Sequence, residues 1–329
     1  MLIRRKGRVS RRLPVADVTV SADPLLSASV VIATRHRAGL LSRCLTAVDQ
    51  LDPKPNEVVV VDNSAGDEET RAVAHAHGAS YVKEPRVGLS RARNTGARAA
   101  HHAVLALIDD DAIPESSWLA ALVRPFADTN VMAVTGRIVP LERTTAAQRL
   151  SVETGWIDLG DEPRSIDCTH PLWFEISNFG GLGLGGNMAI RREVYRVWPG
   201  FRESIGRGTA ISGCEEHYAF FELLKLGYRV VYTPDAVVAH PHPDTVEVLV
   251  STHRRSIAET FAYATLLLVE EPGYRARTLG YILRRAAGGR QPWHVGPERA
   301  TAPLLARRHL AAAAARGPVL YARSRRSDP

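Results

Sequence analysis

The chain has 329 residues, 45% hydrophobic and 23% charged, with a formal net charge of +7. This suits one large α/β domain with appendages or two small domains, and excludes a disordered or fibrous chain. Cys44, Cys168 and Cys214 show no CxxC spacing, which excludes a disulfide framework or zinc site and fits a reducing cytosol. No apolar run approaches the roughly 20 residues of a membrane span, and the arginine-rich start lacks the apolar stretch of a secretory signal. The expected location is cytoplasmic.

The charge lies at the ends. Residues 1–12 carry six basic side chains and no acid, residues 251–329 carry fourteen basic and five acidic, and the body between them is net acidic. Such ends fit peripheral contact with an anionic membrane face, or plain solvation. No zinc-finger, RRM or helix-turn-helix pattern accompanies them, so nucleic acid is not an expected partner.

Residues 1–27 read as a loose basic lead-in. A short β-branched strand, Ser29–Ala33, ends in the polar cluster Thr34-Arg-His-Arg37, and a helix follows over about Gly39–Gln50. The second strand, Glu57–Val61, runs into Asp62-Asn-Ser64; the next helix opens on Asp67, Glu68 and Glu69, matching its positive end. A third strand (Ala79–Val82), the loop Lys83–Gly88 and an Ala- and Arg-rich helix (Leu89–His102) lead to the apolar run Ala103–Ile108. A helix over Glu115–Ala127, with Pro114 in its first turn, and a strand over Val131–Thr135 follow. The alternation predicts a doubly wound, mostly parallel sheet.

Residues 140–180 lose periodicity; their prolines, acids, Trp156 and Trp173 suggest an excursion covering a pocket. The glycine-rich run Gly180–Asn187 is in the wrong place for a dinucleotide fingerprint and reads as backbone passing close to a ligand. Met188 begins a short helix or a strand–helix join, and Gly206–Gly213 a flexible loop. A helix spans Cys214–Leu226, with strands at Tyr228–Tyr232 and Ala236–Ala239. Two helices are expected over 245–290, the second (Arg275–Ala287) basic and amphipathic, suited to docking on the core or to a membrane surface. The tail from Arg307 reads as poorly ordered at its end.

Asp109, Asp110 and Asp111 stand at the carboxyl end of a central strand, where open α/β sheets bind ligands. Three adjacent anions repel, so a cation is their natural compensation. Hard oxygen ligands suit Mg²⁺ or Mn²⁺ carrying diphosphate oxygens; a helix N-cap is the plainer alternative. Glu215 and Glu216 open a helix and point about 100° apart, so one can pack or bind while the other does chemistry. His240, locked between acids and prolines, reads as a metal ligand or a structural histidine.

Together these elements resemble a family 2 glycosyltransferase of the GT-A fold over about residues 28–245, with nucleotide-sugar and acceptor halves at 28–139 and 140–245 and a basic helical extension at 246–329. Ser29-Val-Val-Ile-Ala-Thr34 resembles the opening strand, Val-Val-Val-Asp62-Asn-Ser the base-reading turn, and Gly88-Leu-Ser-Arg-Ala-Arg-Asn94-Thr-Gly the helix entry. Leu107-Ile-Asp109-Asp110-Asp111 resembles the DXD signature, Gly186-Asn187-Met-Ala-Ile-Arg-Arg the acceptor-side segment, Cys214-Glu-Glu216 the usual Glu-Asp, and His240 the closing histidine. Ala33 replaces the usual proline, and Glu216 the usual base aspartate, one methylene shorter. The resemblance implies an inverting, metal-assisted hexosyl transfer from a nucleotide sugar to a hydroxyl of a glycan or lipid-linked acceptor. It assigns donor binding to Thr34, Asp62, Arg86, Asn94, Asp109 and Asp110, metal ligation to Asp111 and His240, and the base to Glu216 with Glu215 as substitute. The rival classes are a nucleotidyltransferase, though only one glycine follows the first strand, and a non-catalytic binding homologue.

Overall fold

The computed structural model describes residues 26–153, 157–287 and 307–326. In chain order the first elements are β1 (Ala28–Thr34), α1 (Ala38–Val48), β2 (Glu57–Asp62), α2 (Glu68–Ala76), β3 (Ser80–Lys83), α3 (Leu89–Ala99) and β4 (Val104–Asp109). Branched apolar residues make these strands buried on both faces. Val30, Ile32, Val60, Ala106 and Ile108 pack on the α1 side, while Val31, Val59, Val61, Leu105 and Leu107 pack on the α3 side. The four strands pair in parallel, with Thr34 opposite Asp62 and Ala33 opposite Asp109. That register brings the polar residue ending each strand to one rim.

The chain continues through β5 (Ile113–Pro114), α4 (Trp118–Val123), β6 (Val131–Pro140), α5 (Ala146–Glu153), β7 (Arg164–Ile166), α6 (Trp173–Asn178), β8 (Asn187–Arg191), α7 (Glu215–Lys225), β9 (Arg229–His240), α8 (Val246–Glu270), α9 (Arg275–Ala286) and α10 (Arg307–Arg326). The nine-stranded sheet has the order β3-β2-β1-β4-β8-β6-β9-β5, with β7 also on β9. β8 is antiparallel to both its neighbours.

Several expectations change. Pro114 lies in a two-residue strand against Val238, not in a helix, and α4 starts at Trp118. Of the two alternatives at Met188 the strand–helix join is the one found: β8, in the middle of the sheet, runs into a 3-10 turn over Arg192–Arg196. The two strands expected at 228–239 are one strand, β9, whose pairing with β6 slips at Gly136/Arg137. Trp173 does not cover a pocket; it stacks on Phe221 in the core, ring centres 5.9 Å apart. Trp156 and residues 1–25 lie outside the described residues. Arg307–Arg326 forms α10, packed on α8 where Gly317 meets Phe261 and the Tyr321 hydroxyl donates to Glu270 at 2.8 Å, and the end of the tail beyond 326 lies outside the described residues. Among the described residues no helix is long and apolar enough to cross a membrane.

Candidate active site

A cleft of about 380 Å³ opens at the carboxyl rim of β1, β2 and β4. Its walls include Thr34, Arg35, Arg37, Asn63, Val87, Asp109, Asp110, Asp111, Arg207 and Gly208. Thr34 Oγ1 donates to Asp110 Oδ2 at 2.6 Å, and Arg37 forks onto Asp110 Oδ1 at 2.7 Å and Asp111 Oδ2 at 2.5 Å. A resident arginine therefore already offsets part of the crowding that the sequence left to a metal. Burial still pushes the Asp110 carboxyl up to about 6 against the pull of Thr34 and Arg37, with its acidic neighbours adding to the rise. Burial also acts to raise Asp111, but His240 and Arg37 outweigh it and hold that group well below the carboxylate range.

The β5–β9 pairing sets Ile113 opposite Ala239, which brings the Asp111 turn against the end of β9. His240 Nε2 lies 3.3 Å from Asp111 Oδ1, and its Nδ1 is 2.8 Å from the Pro241 carbonyl. Burial opposes protonation of His240, yet the Asp111 carboxylate raises its pKa.

Ligand atoms of Asp109, Asp111 and His240 lie within 4.8 Å of one another. Asp111 Oδ1 is buried without a well-formed hydrogen bond. Two carboxylates and an imidazole suit Mn²⁺ or Mg²⁺, so the residues present fit a divalent ion.

Behind Asp109 lies a second acidic group. Glu215 and Glu216 are 5% and 7% exposed at the start of α7, entered through Cys214 in the left-handed region at φ 69°. Between the two groups sits Arg93, 3% exposed. It donates to Glu215 Oε1 at 2.8 Å, to the Gly185 carbonyl at 2.8 Å and, more loosely, to Asp109 Oδ1 at 3.4 Å. The glycine-rich run passes close here: a Cβ on Gly186 would stand 2.5 Å from Asp109 Oδ2, and one on Gly185 2.7 Å from the Arg93 guanidinium.

Burial, then repulsion from Glu216, pushes Glu215 up to about 7 against Arg93; burial also raises Glu216. A turnover that needs Glu215 ionised should therefore fall as pH drops through about 7, and one that needs Glu216 ionised should fall at a pH above the ordinary carboxylate value of about 4. Initial rates across pH 5 to 9 check this; a flat profile down to about pH 5 would remove both glutamates from the proton transfer.

Other expected site residues lie differently. Asp62 is fully buried: its Oδ2 accepts from the Tyr81 hydroxyl at 2.6 Å and the Asp67 amide at 2.9 Å, while Oδ1 has no partner, and Asn63 lines the cleft beside it. Arg86 is held by Glu84 and does not line the cleft. Asn94 does not reach the cleft; its amide is paired with both backbone groups of Phe201. Asn187 is also engaged internally, donating to the Arg137 and Ala236 carbonyls and accepting from Trp118 Nε1. It holds the slip between β6 and β9 together.

Arg37, Arg93 and Arg207 were not among the expected site residues. For Arg93 the available signal was an arginine between Ala92 and Ala97 on the buried face of α3, where a charge needs a partner.

The fold is that of a GT-A glycosyltransferase. A mannosyltransferase from Pyrobaculum calidifontis, solved with GDP-Man and Mn²⁺, superposes with a TM-score of 0.55 at 20% identity, over 91% of this chain and 88% of that one. The model of Glycosyl transferase family 2 matches residues 29–198, and the chain belongs to that family. A pre-mycofactocin glycosyltransferase of Mycobacterium tuberculosis is 29% identical over 65% of this chain and 42% of its own length. The glycosyltransferase AglE of Haloferax volcanii is 34% identical over 33% of this chain and 38% of its own. The chain thus spans less than half the length of these curated relatives.

Proposed function

We propose that the chain moves a hexosyl group from a nucleotide-sugar donor to a hydroxyl of a glycan or lipid-linked acceptor, in one displacement that inverts the anomeric carbon. The observation that carries this reading is the adjacency, through Arg93, of the acid-rimmed cleft and the buried glutamate pair. Thr34 on the cleft wall, and the unpartnered Oδ1 of Asp62 behind it, would supply acceptors for base and ribose, while Asn63 spends its amide on Glu84, Arg86 and Gly88 and so shapes the wall. Asp109, Asp111 and His240 would hold Mn²⁺ or Mg²⁺, which when bound supplies positive charge to the diphosphate leaving group. Arg37 and Arg207 add cationic walls to the same cleft.

Glu215 and Glu216 each keep a buried Oε2 with no partner, but Glu215 commits its Oε1 to Arg93. That contrast favours Glu216 as the group that takes the acceptor proton, with Glu215 and Arg93 orienting it. Glu216→Gln should keep donor binding, read as an unchanged thermal shift, and lower turnover ~100-fold. Undiminished turnover would move the base to Glu215.

The class is tested by incubating the protein with UDP-, GDP- and dTDP-sugars, with and without Mn²⁺. Metal-dependent thermal shift and release of nucleoside diphosphate are expected. Release of pyrophosphate from a nucleoside triphosphate would favour a nucleotidyltransferase, and no binding or turnover a non-catalytic homologue.

A further inference from the structure

α9 turns its polar and aromatic side toward the body of the protein. Tyr281 stacks on Phe179 with ring centres 3.7 Å apart, and Thr278 is buried. Arg277 donates to Glu175 Oε2 at 2.5 Å and to the Pro171 carbonyl at 2.9 Å, and Arg275 donates to the Leu268 carbonyl closing α8 at 2.6 Å. At 100° per residue, Ala276, Leu279, Leu283 and Ala286 fall together on the opposite side. Leu279 is 48% exposed and Leu283 68%. A surface helix ordinarily turns its apolar stripe inward; this one turns it out.

The surroundings of the stripe are cationic. α9 carries Arg275, Arg277, Arg284 and Arg285 and no acid. Arg284 keeps 60% of its side chain exposed even with Glu175 3.6 Å away. An isologous contact between two copies would set these arginines against one another, which disfavours a second copy as the occupant. An anionic lipid surface satisfies both features: its phosphates match the arginines, and its acyl boundary takes leucines from water.

We propose that the outer face of α9 lies on an anionic membrane surface, with Leu279 and Leu283 at the acyl boundary and Arg284 at the level of the phosphates. This goes beyond the transfer reaction and stands apart from it, since lipid contact needs neither donor nor metal. It also narrows the membrane contact expected of the basic ends to one helix face on which apolar area and charge act together.

The test is co-sedimentation of the full chain with vesicles of phosphatidylcholine alone or mixed with phosphatidylglycerol. Binding to the anionic vesicles should be about tenfold tighter or more, and the double variant Leu279→Asp/Leu283→Asp should lose about tenfold. Arg284→Gln should lose less, and its effect should shrink as salt rises. The leucine variant should melt with the wild type, because both side chains face outward. Absence of vesicle binding, or binding indifferent to both leucines, would overturn the proposal. So would a large fall in melting temperature, which would show that the chain covers this face itself, or a wild-type dimer broken by the same variant.

Discussion

Asp111→Ala should lower kcat/KM by ~10³-fold or more, the loss expected when charge stabilisation of a leaving group is removed. The side chain meets Arg37 through Oδ2 and faces His240 through Oδ1, so it is the carboxylate that the two neighbouring side chains share. Its removal takes away a ligand atom and releases both partners. His240 loses the anion that raises its pKa and becomes a neutral ring earlier as pH rises. Arg37 keeps Asp110, so the wall of the cleft should survive and the loss should fall on turnover more than on folding. The measurement is donor-dependent thermal shift with and without Mn²⁺, beside initial rates. The wild type should require metal for the shift, and the variant should show no metal effect. Turnover by Asp111→Ala at the wild-type rate without metal would remove the ion from the reaction.

Arg93→Met should be the most damaging single change to the fold among the site residues. It leaves Glu215 and Asp109 facing each other without the guanidinium between them, and breaking a buried pair by removing one partner costs ~3–5 kcal/mol. The pH dependence has a definite sign. Burial already holds the Glu215 proton up to about 7, and loss of Arg93 raises that value further. A carboxyl whose folded pKa lies above its unfolded value loses stability as pH rises above the unfolded value. The variant should therefore fall further behind the wild type at pH 8 than at pH 5, measured by urea unfolding at both. Arg93→Lys should recover part of the loss, because a point charge can meet Glu215 but cannot also hold Asp109 and the Gly185 carbonyl. A loss in Arg93→Met below about 1 kcal/mol and independent of pH would show that the glutamates do not depend on this arginine.

The half built from β1 to β4 was legible because its signals are local. Apolar strands run straight into Thr34, Asp62 and Asp109, and parallel pairing carries all three to one rim without further information. β8 was not legible: five residues buried on both faces carry no period that separates a strand from a helix, and its antiparallel partners lie far away in the chain. Asn94 and Asn187 illustrate the limit of a motif. Each sits in a stretch that resembles a binding segment, yet each amide is taken up by backbone groups that only the fold brings near. Arg37 and Arg93 show the converse, since a charged residue declares its partner only once the partner is in place. The acids alone suggested a bare anionic cluster; the structure threads arginines through it.

The reversed course of β8 bears on how such a chain can diversify. Because β8 enters the sheet at the end where β4 leaves it, residues 141–186 depart from β6 and return beside Asp109. The two ends of that stretch are pinned by the β6–β9 ladder and by Gly186 against Asp109. Between them β7 pairs with β9 and Trp173, Phe174 and Ile176 pack in the core, so only the loops joining these elements can lengthen, shorten or change composition while β1 to β4 keep their register. Variation beside the cleft could thus be confined to those loops, with Asp109, Asp110 and Asp111 left where they are.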